Sequence, residues 1–353
     1  FINSKGVIMK KELLMASALV STMGIASVAE AVTATYSGAH MTGLQGDDTD
    51  AADATIAQDT TSDFSVSLSE TTDGGVGIAT SFMLANESSV LSTAGLTLTF
   101  TDGSKLDVIK AGNAAATHDI AVPGSAGSPG VTLVTTNNAQ DGLDFFAEAT
   151  AIGIEWHSAA DFMADGLKVS ASISADNGTA ATTAVALESS WGLGATYVTS
   201  AGDTAVTIGA GIADSEFKDS AQDAPSSNGF HAGFSAVTGD LTVAAGYANG
   251  DKVRATPEIA IFDNSVSKIG VKYVAGDVTL SAGFTSAEAD DNATITAAGG
   301  STDSKDITEF GVSYAVASGV TANLGWSDID AQDDGSNDTT GGSSWYVGAT
   351  MSF

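Results

Sequence analysis

The last nine residues carry an apolar side chain at every second position: Trp345, Val347, Ala349, Met351 and Phe353. Tyr346, Gly348, Thr350 and Ser352 stand between them. A period of two is that of a strand with one apolar and one polar face. Such a strand at a chain end needs a cover for its apolar side. Hydrocarbon supplies that cover when the strand closes a barrel in a bilayer, where a sheet must close to satisfy its backbone groups.

The start of the chain fits an exported protein. Met9-Lys10-Lys11 opens a basic region, Leu13 to Val28 is uncharged and mostly apolar, and Ala29-Glu30-Ala31 has the form of a cleavage site. Together they predict a signal peptide over 9–31. The apolar run is short for a membrane span and contains Gly24. Residues 1–8 are set apart as an upstream extension, leaving 32–353 as one domain. No stretch of that domain is apolar for long enough to form a membrane helix. Taking Lys5, Lys10, Lys11, Glu12 and Glu30 from 12 basic and 43 acidic residues leaves 9 and 41, a net charge near −32. This excludes nucleic acid and anionic membrane surfaces as electrostatic partners. Cysteine is absent, and a closed sheet needs no disulfide.

Fifteen further segments show strand signals, so the expected count is sixteen. The first runs from Val32 to Thr42; a long eighth has Val185, Leu187, Trp191, Leu193 and Tyr197 on one face. Tight turns fall at Thr72-Asp73-Gly74-Gly75, Thr101-Asp102-Gly103, Ala164-Asp165-Gly166, Ser200-Ala201-Gly202-Asp203, Thr238-Gly239-Asp240, Ala275-Gly276-Asp277 and Ala317-Ser318-Gly319. Glycine beside Asp or Ser supplies the positive φ that hairpins require. Between them lie long polar connections near 43–61, 85–94, 111–149, 174–182, 213–228, 249–264, 287–306 and 328–343. This strict alternation is that of an all-β transmembrane barrel with short periplasmic turns and long extracellular loops.

With sixteen strands, a terminal Phe353 and a longest loop that is the third, the chain resembles the general porins of the Gram-negative outer membrane. The opening Val32-Thr33-Ala34-Thr35-Tyr36-Ser37-Gly38 is also similar to a porin first strand. The resemblance implies a homotrimer embedded in outer-membrane lipid and passive diffusion of small hydrophilic solutes. It implies that loop 111–149 folds into the lumen as a constriction. Phe353 then reads as a signal to the barrel-assembly machinery.

Lipid takes the apolar parity, so water takes the other. That phase turns Lys105, Asp107, Glu155, His157, Lys168, Glu188, Lys268, Lys272 and Glu309 toward the pore; a Lys facing mid-bilayer would cost about 2–4 kcal/mol. The alternative for each is a solvated rim residue without effect on conduction. The third loop carries Asp119, Asp141, Asp144 and Glu148 and no Lys or Arg. General porins place an arginine cluster opposite this loop, whereas the only arginine here is Arg254, expected in an outer loop. Carboxylates without that cluster predict cation preference.

Acidic groups also crowd the expected outer loops: Asp47, Asp48, Asp50 and Asp53; Glu288, Asp290 and Asp291; Asp328, Asp330, Asp333, Asp334 and Asp338. Asp328, Asp330 and Asp334 are weak candidates for Ca²⁺ or Mg²⁺. The pattern Asp330-Ala331-Gln332-Asp333-Asp334-Gly335 is a broken calcium loop, and solvated repulsive loops are the stronger reading. No cofactor is otherwise implied. The histidines His40, His118, His157 and His231 have no metal-site spacing. His157 and Ser158 are adjacent strand residues and point apart, so they form no nucleophilic pair. Ala210-Gly211 and Gly246 read as places of close packing or bending. An enzyme is not expected. The rival readings are a solute-selective porin and a secreted acidic adhesin or surface-layer β-protein.

Overall fold

Sixteen antiparallel strands close on themselves. In chain order they are β1 (Thr33–Thr49), β2 (Ala52–Thr71), β3 (Gly77–Ala85), β4 (Ser92–Thr99), β5 (Lys105–Val108), β6 (Gly153–His157), β7 (Leu167–Ala175) and β8 (Ala186–Ala201). The second half is β9 (Thr204–Lys218), β10 (Ser226–Thr238), β11 (Leu241–Ala255), β12 (Ile259–Ala275), β13 (Val278–Asp291), β14 (Thr302–Ala317), β15 (Val320–Asp333) and β16 (Asp338–Ser352). Each strand pairs with its neighbours in sequence, and β16 pairs with β1 to complete the barrel. The computed structural model describes residues 32–49, 52–85, 92–108, 113–126, 139, 141–143, 153–175, 186–218, 226–255, 259–291, 302–333 and 338–353. The leader expected over 9–31 lies outside them.

The alternation in sequence becomes an inside-out protein. Ile208, Ile212, Phe234, Ile269, Phe284, Phe310, Leu324 and Val347 are all exposed on the outer wall. The buried residues include Ser170, Ser172, Ser215, Asn264, Ser327 and Ser344. In water such an exterior would be an aggregation surface far beyond the patches soluble proteins tolerate. In hydrocarbon each large apolar side chain is covered, a gain of about 1.5–3 kcal/mol relative to exposure. Outward aromatics include Tyr36, Tyr197, Tyr273 and Tyr314 toward the short-turn end, where a phenol can reach water, and Phe230 with Tyr247 (6.1 Å) and Phe310 with Trp326 (5.6 Å) farther along the wall.

The seven tight turns fall where the sequence predicts them, and each has a glycine at positive φ, from 57° at Gly239 to 86° at Gly103. At Gly166 space adds to conformation, because a Cβ there would enter the Val198 carbonyl. In the Asp102 turn the Ser104 N–H and O–H donate to Asp102 Oδ1 at 2.9 and 2.7 Å. These bonds hold the Asp102 carboxyl below the usual carboxylate range.

The long connections are shorter than the sequence suggests. β1 continues to Thr49 and β2 begins at Ala52, so Asp47 and Asp48 are strand residues. Likewise Glu288, Asp290 and Asp291 belong to β13, Asp328, Asp330 and Asp333 to β15, and Arg254 to β11. A tilted strand crosses the bilayer in about 9–11 residues, whereas β2 has 20 and β12 has 17. The surplus stands in water, where both faces are wet and the apolar period disappears.

The chain end closes the seam. The Phe353 N–H donates to the Gly38 carbonyl at 3.1 Å, and the Gly38 N–H to the Phe353 carbonyl at 3.1 Å. The Phe353 ring is 79% exposed, and it lies over Gly38, where a Cβ would strike it.

Candidate functional site

Described residues of the third loop lie inside the barrel. The stretch 113–126 forms a short 3-10 helix at Ala116–His118 and runs along the inner face from β8 to β14. Inward glycines make room for it. A Cβ on Gly194 of β8 would meet the Ala114 carbonyl and the His118 ring; one on Gly209 of β9 would meet the His118 carbonyl and Ile120. Gly211 faces Ala115, Gly246 faces Leu143, and Gly270 and Gly283 both face the Pro123 carbonyl. Gly211 and Gly246 are therefore sites of close packing. The same role extends to inner-face glycines that the sequence reading passes over. Their recurrence on one parity of successive strands is the signal that could have found them.

Hydrogen bonds fasten the loop to this trough. The Ala114 N–H donates to Ser172 Oγ (2.9 Å), Thr117 Oγ1 donates to Glu155 Oε1 (2.6 Å), His231 Nε2 donates to the Ala115 carbonyl (2.7 Å), and Ser125 Oγ donates to Glu309 Oε1 (2.8 Å). His118 bridges two strands, with Nε2 2.8 Å from Ser170 Oγ and Nδ1 2.6 Å from Thr196 Oγ1. Burial pushes the His118 imidazole down to about 4, and the nearby His157, His231 and Lys168 push the same way.

Lys105 and Asp107 of β5 lie in register with His157 and Glu155 of β6, and all four face the lumen. His157 Nε2 is 3.3 Å from Asp107 Oδ2, and His157 Nδ1 is 3.8 Å from Glu155 Oε1. Thr97 donates to the other Asp107 oxygen, so both are occupied. Beside this group is a polar cavity of about 440 Å³ lined by Lys105, Asp107, His157, Lys168, Thr97 and Ser158 among others. Lys268 and Lys272 project inward from β12, on the parity of buried Asn264 and Val266. Among the described residues none of these four lysines has a carboxylate within ion-pairing distance.

Glu188 is a correction. A bulge in β8 sets Leu187 opposite Phe217 and Ser189 opposite Glu216, leaving Glu188 without a partner across the ladder. Leu187 and Phe217 are both buried on the inner side, and Glu188 is exposed. One extra residue inverts the parity beyond it, so Leu187 leaves the lipid face, and Glu188 sits on the bulge itself, outside the regular inner row that the sequence assigns it to. In the third loop Asp119 lies beside the 3-10 helix and Asp141 is exposed, while Asp144 and Glu148 fall outside the described residues. The candidate cation ligands Asp328 and Asp330 share the exposed outer face of β15; Asp334 is outside the described residues. Among the described residues no group of three or more His, Asp or Glu is placed to hold a metal ion.

The model of the family described as Gram-negative porins matches residues 16–352. The chain belongs to that family. As a porin it is a passive channel of the outer membrane. The fold agrees with solved barrels. The trimer form of OmpT from Vibrio cholerae has 16% identity over 92% of this chain and 100% of its own, with a TM-score of 0.63. OmpF of Salmonella typhi, solved with daunomycin, has 13% identity over 93% and 99% and a TM-score of 0.65. The anion-selective porin from Comamonas acidovorans has 13% identity over 91% and 100% and a TM-score of 0.63. No curated protein matches by sequence. At these identities the structural likeness is one of fold.

Proposed function

We propose that this porin passes small hydrophilic solutes with a preference for cations. A fold shared with an anion-selective porin cannot by itself decide the sign, so selectivity must come from the charges along the path. The observation that supports the reading is the third loop: its stretch 113–126 seats in the lumen, and by sequence 111–149 contains four carboxylates and no Lys or Arg. Fixed carboxylates at a narrow point favour cations by their field. In planar bilayers under a salt gradient, the reversal potential is expected on the cation side; clear chloride preference would sink the reading.

A second reading, selectivity for a solute, is favoured by the cavity at Lys105 and Lys168. Both ammonium groups lack a carboxylate partner among the described residues, while both Asp107 oxygens are taken. The available donors there suit a carboxylate- or phosphate-bearing solute. Lys105→Ala with Lys168→Ala should abolish any current block by millimolar inorganic phosphate; block that survives the pair excludes the site.

We also read the chain as non-catalytic. Asp107, His157 and Ser170 stand in the order of a nucleophilic triad. Ser170, however, is 2% exposed, and its oxygen lies between two imidazoles, 2.9 Å from His157 Nδ1 and 2.8 Å from His118 Nε2. No room is left for a substrate carbonyl. A homotrimer is supported by the OmpT trimer. Export through 9–31, a lipid environment and delivery by the barrel-assembly machinery reading Phe353 complete the proposal.

A further inference from the structure

We propose that the outer wall of β1 and β2 is the face on which copies of this porin meet. The proposal names the contact surface of the homotrimer read above and rests on that reading.

Two departures from the lipid-facing pattern fall together on this wall. The first is polar. His40 stands opposite Ser62 and Thr42 opposite Thr60, on the same parity as the exposed Tyr36 and Phe64. His40 is seven residues from Thr33 at the foot of β1, and Ser62 is nine from Thr71 at the foot of β2. A crossing takes about 9–11 residues, so both lie within the apolar band. At that depth on the far wall Ile269, Phe284 and Phe310 face out. His40 Nδ1 lies 2.8 Å from Ser62 Oγ, Thr42 Oγ1 lies 3.3 Å from Thr60 Oγ1, and Gln58 Nε2 donates to Thr60 Oγ1 at 3.1 Å. These bonds leave His40 Nε2 and the Gln58 side-chain carbonyl without a partner among the described residues. Hydrocarbon has no group to offer them. Polar side chains at membrane depth face protein or water rather than acyl chains.

The second departure is apolar. Ile56 is 71% exposed and fifteen residues from Thr71, past the bilayer, where the surplus of the strand stands in water. Toward the same rim the outer faces of β11, β12 and β13 carry Asp251, Asp263 and Asp290 in one cross-strand row. An imidazole in lipid and an isoleucine in water are both misplaced on a lone barrel. A second protein wall against β1 and β2 covers both.

Charge and shape commit that wall to another copy of this chain. The net charge is −31, yet the outward residues of β1 from Ala34 to Gly46 and of β2 from Ile56 to Leu68 include no Asp or Glu. Two acidic barrels approach most easily where neither presents a carboxylate. The face is also flat, because the Phe353 ring lies over Gly38 and the Trp345 ring over Gly46. Small residues and hydrogen bonds between walls are what hold protein surfaces together inside a bilayer. Tyr36, stacked on Phe64 at 6.3 Å, supplies an aromatic anchor beside the polar group.

The chain has no cysteine, so a single introduced cysteine reports one position. Thr60→Cys in the complete folded porin, treated in vesicles with a short bis-maleimide, should link into bands of two and three chains. Ser267→Cys, on the exposed outer face of β12, should stay a single chain. Absence of links at Thr60→Cys overturns this face. If wild type then also runs as a single barrel on unheated gels, the homotrimer itself fails, whereas links at Ser267→Cys would keep the homotrimer and move its contact. Equal linking at both positions is collision and overturns the proposal, as does a Thr60→Cys product of any other mass, which would give the face to a different protein. Ile56→Asp reads the contact without a reagent. On a lone barrel it exchanges an apolar group for a charged one in water and should be harmless. Between copies it sets a carboxylate into the contact, so the unheated oligomer band should be lost while the folded single barrel remains. An intact oligomer overturns the proposal, and if Ile56→Asp does not fold, Thr60→Cys decides.

Discussion

Gly209→Val is expected to lower single-channel conductance severalfold and raise current noise, with the barrel still folded. Gly209 lies on the inner face of β9, and a Cβ there would collide with the His118 carbonyl and sit 3.0 Å from Ile120 Cδ1 and Cγ1. A carbonyl cannot rotate away as a flexible side chain can. Overpacking of this kind typically costs about 1–3 kcal/mol, and the loop can escape it by leaving the wall. The barrel ladder cannot yield as easily, since β9 is paired along its length with β8 and β10. The loop therefore moves, and it moves into the aqueous path. Ala210→Val is the control: it adds bulk one residue away on the same strand, but on the exposed outer face. Unchanged conductance in Gly209→Val, or an equal fall in Ala210→Val, would show that the trough does not position the loop.

Ile269→Arg should destabilise the membrane-inserted barrel by about 2–4 kcal/mol. Ile269 is 54% exposed on β12, between Ala245 and Phe284 on the neighbouring strands. Six residues separate it from Ala275, which at the rise and tilt of a barrel strand places it about 15 Å above the turn. That is near the middle of the apolar band, where a guanidinium is farthest from either interface. Lys268, its neighbour, shows the contrast, since it is a cation tolerated at the same depth because it faces water. Urea titration of protein folded into vesicles would measure the difference, with Lys268→Arg expected to change the midpoint little. Similar midpoints for both variants would mean that the outer parity does not face lipid.

Much of this architecture is legible in the sequence because one physical constraint acts on every residue that crosses the bilayer. Val347 and Met351 must face hydrocarbon, so the period of two survives, and the strand number and turn positions follow from it. The rule ends where the bilayer ends. Asp47 and Asp330 look like loop residues because a strand in water has no reason to alternate. Glu188 was out of reach for another reason: a single bulged residue inverts parity locally and leaves no mark in composition. The residues that pin the loop are harder still to read. Ser170 and Thr196 look like any small polar side chain on an inner wall. Nothing in their spacing from His118 shows that one imidazole joins them.

The plug is fastened to four separate staves, through Glu155 on β6, Ser172 on β7, His231 on β10 and Glu309 on β14. Its seat is thus part of the wall, so any change in the roundness of the cylinder is passed on to the width of the bore.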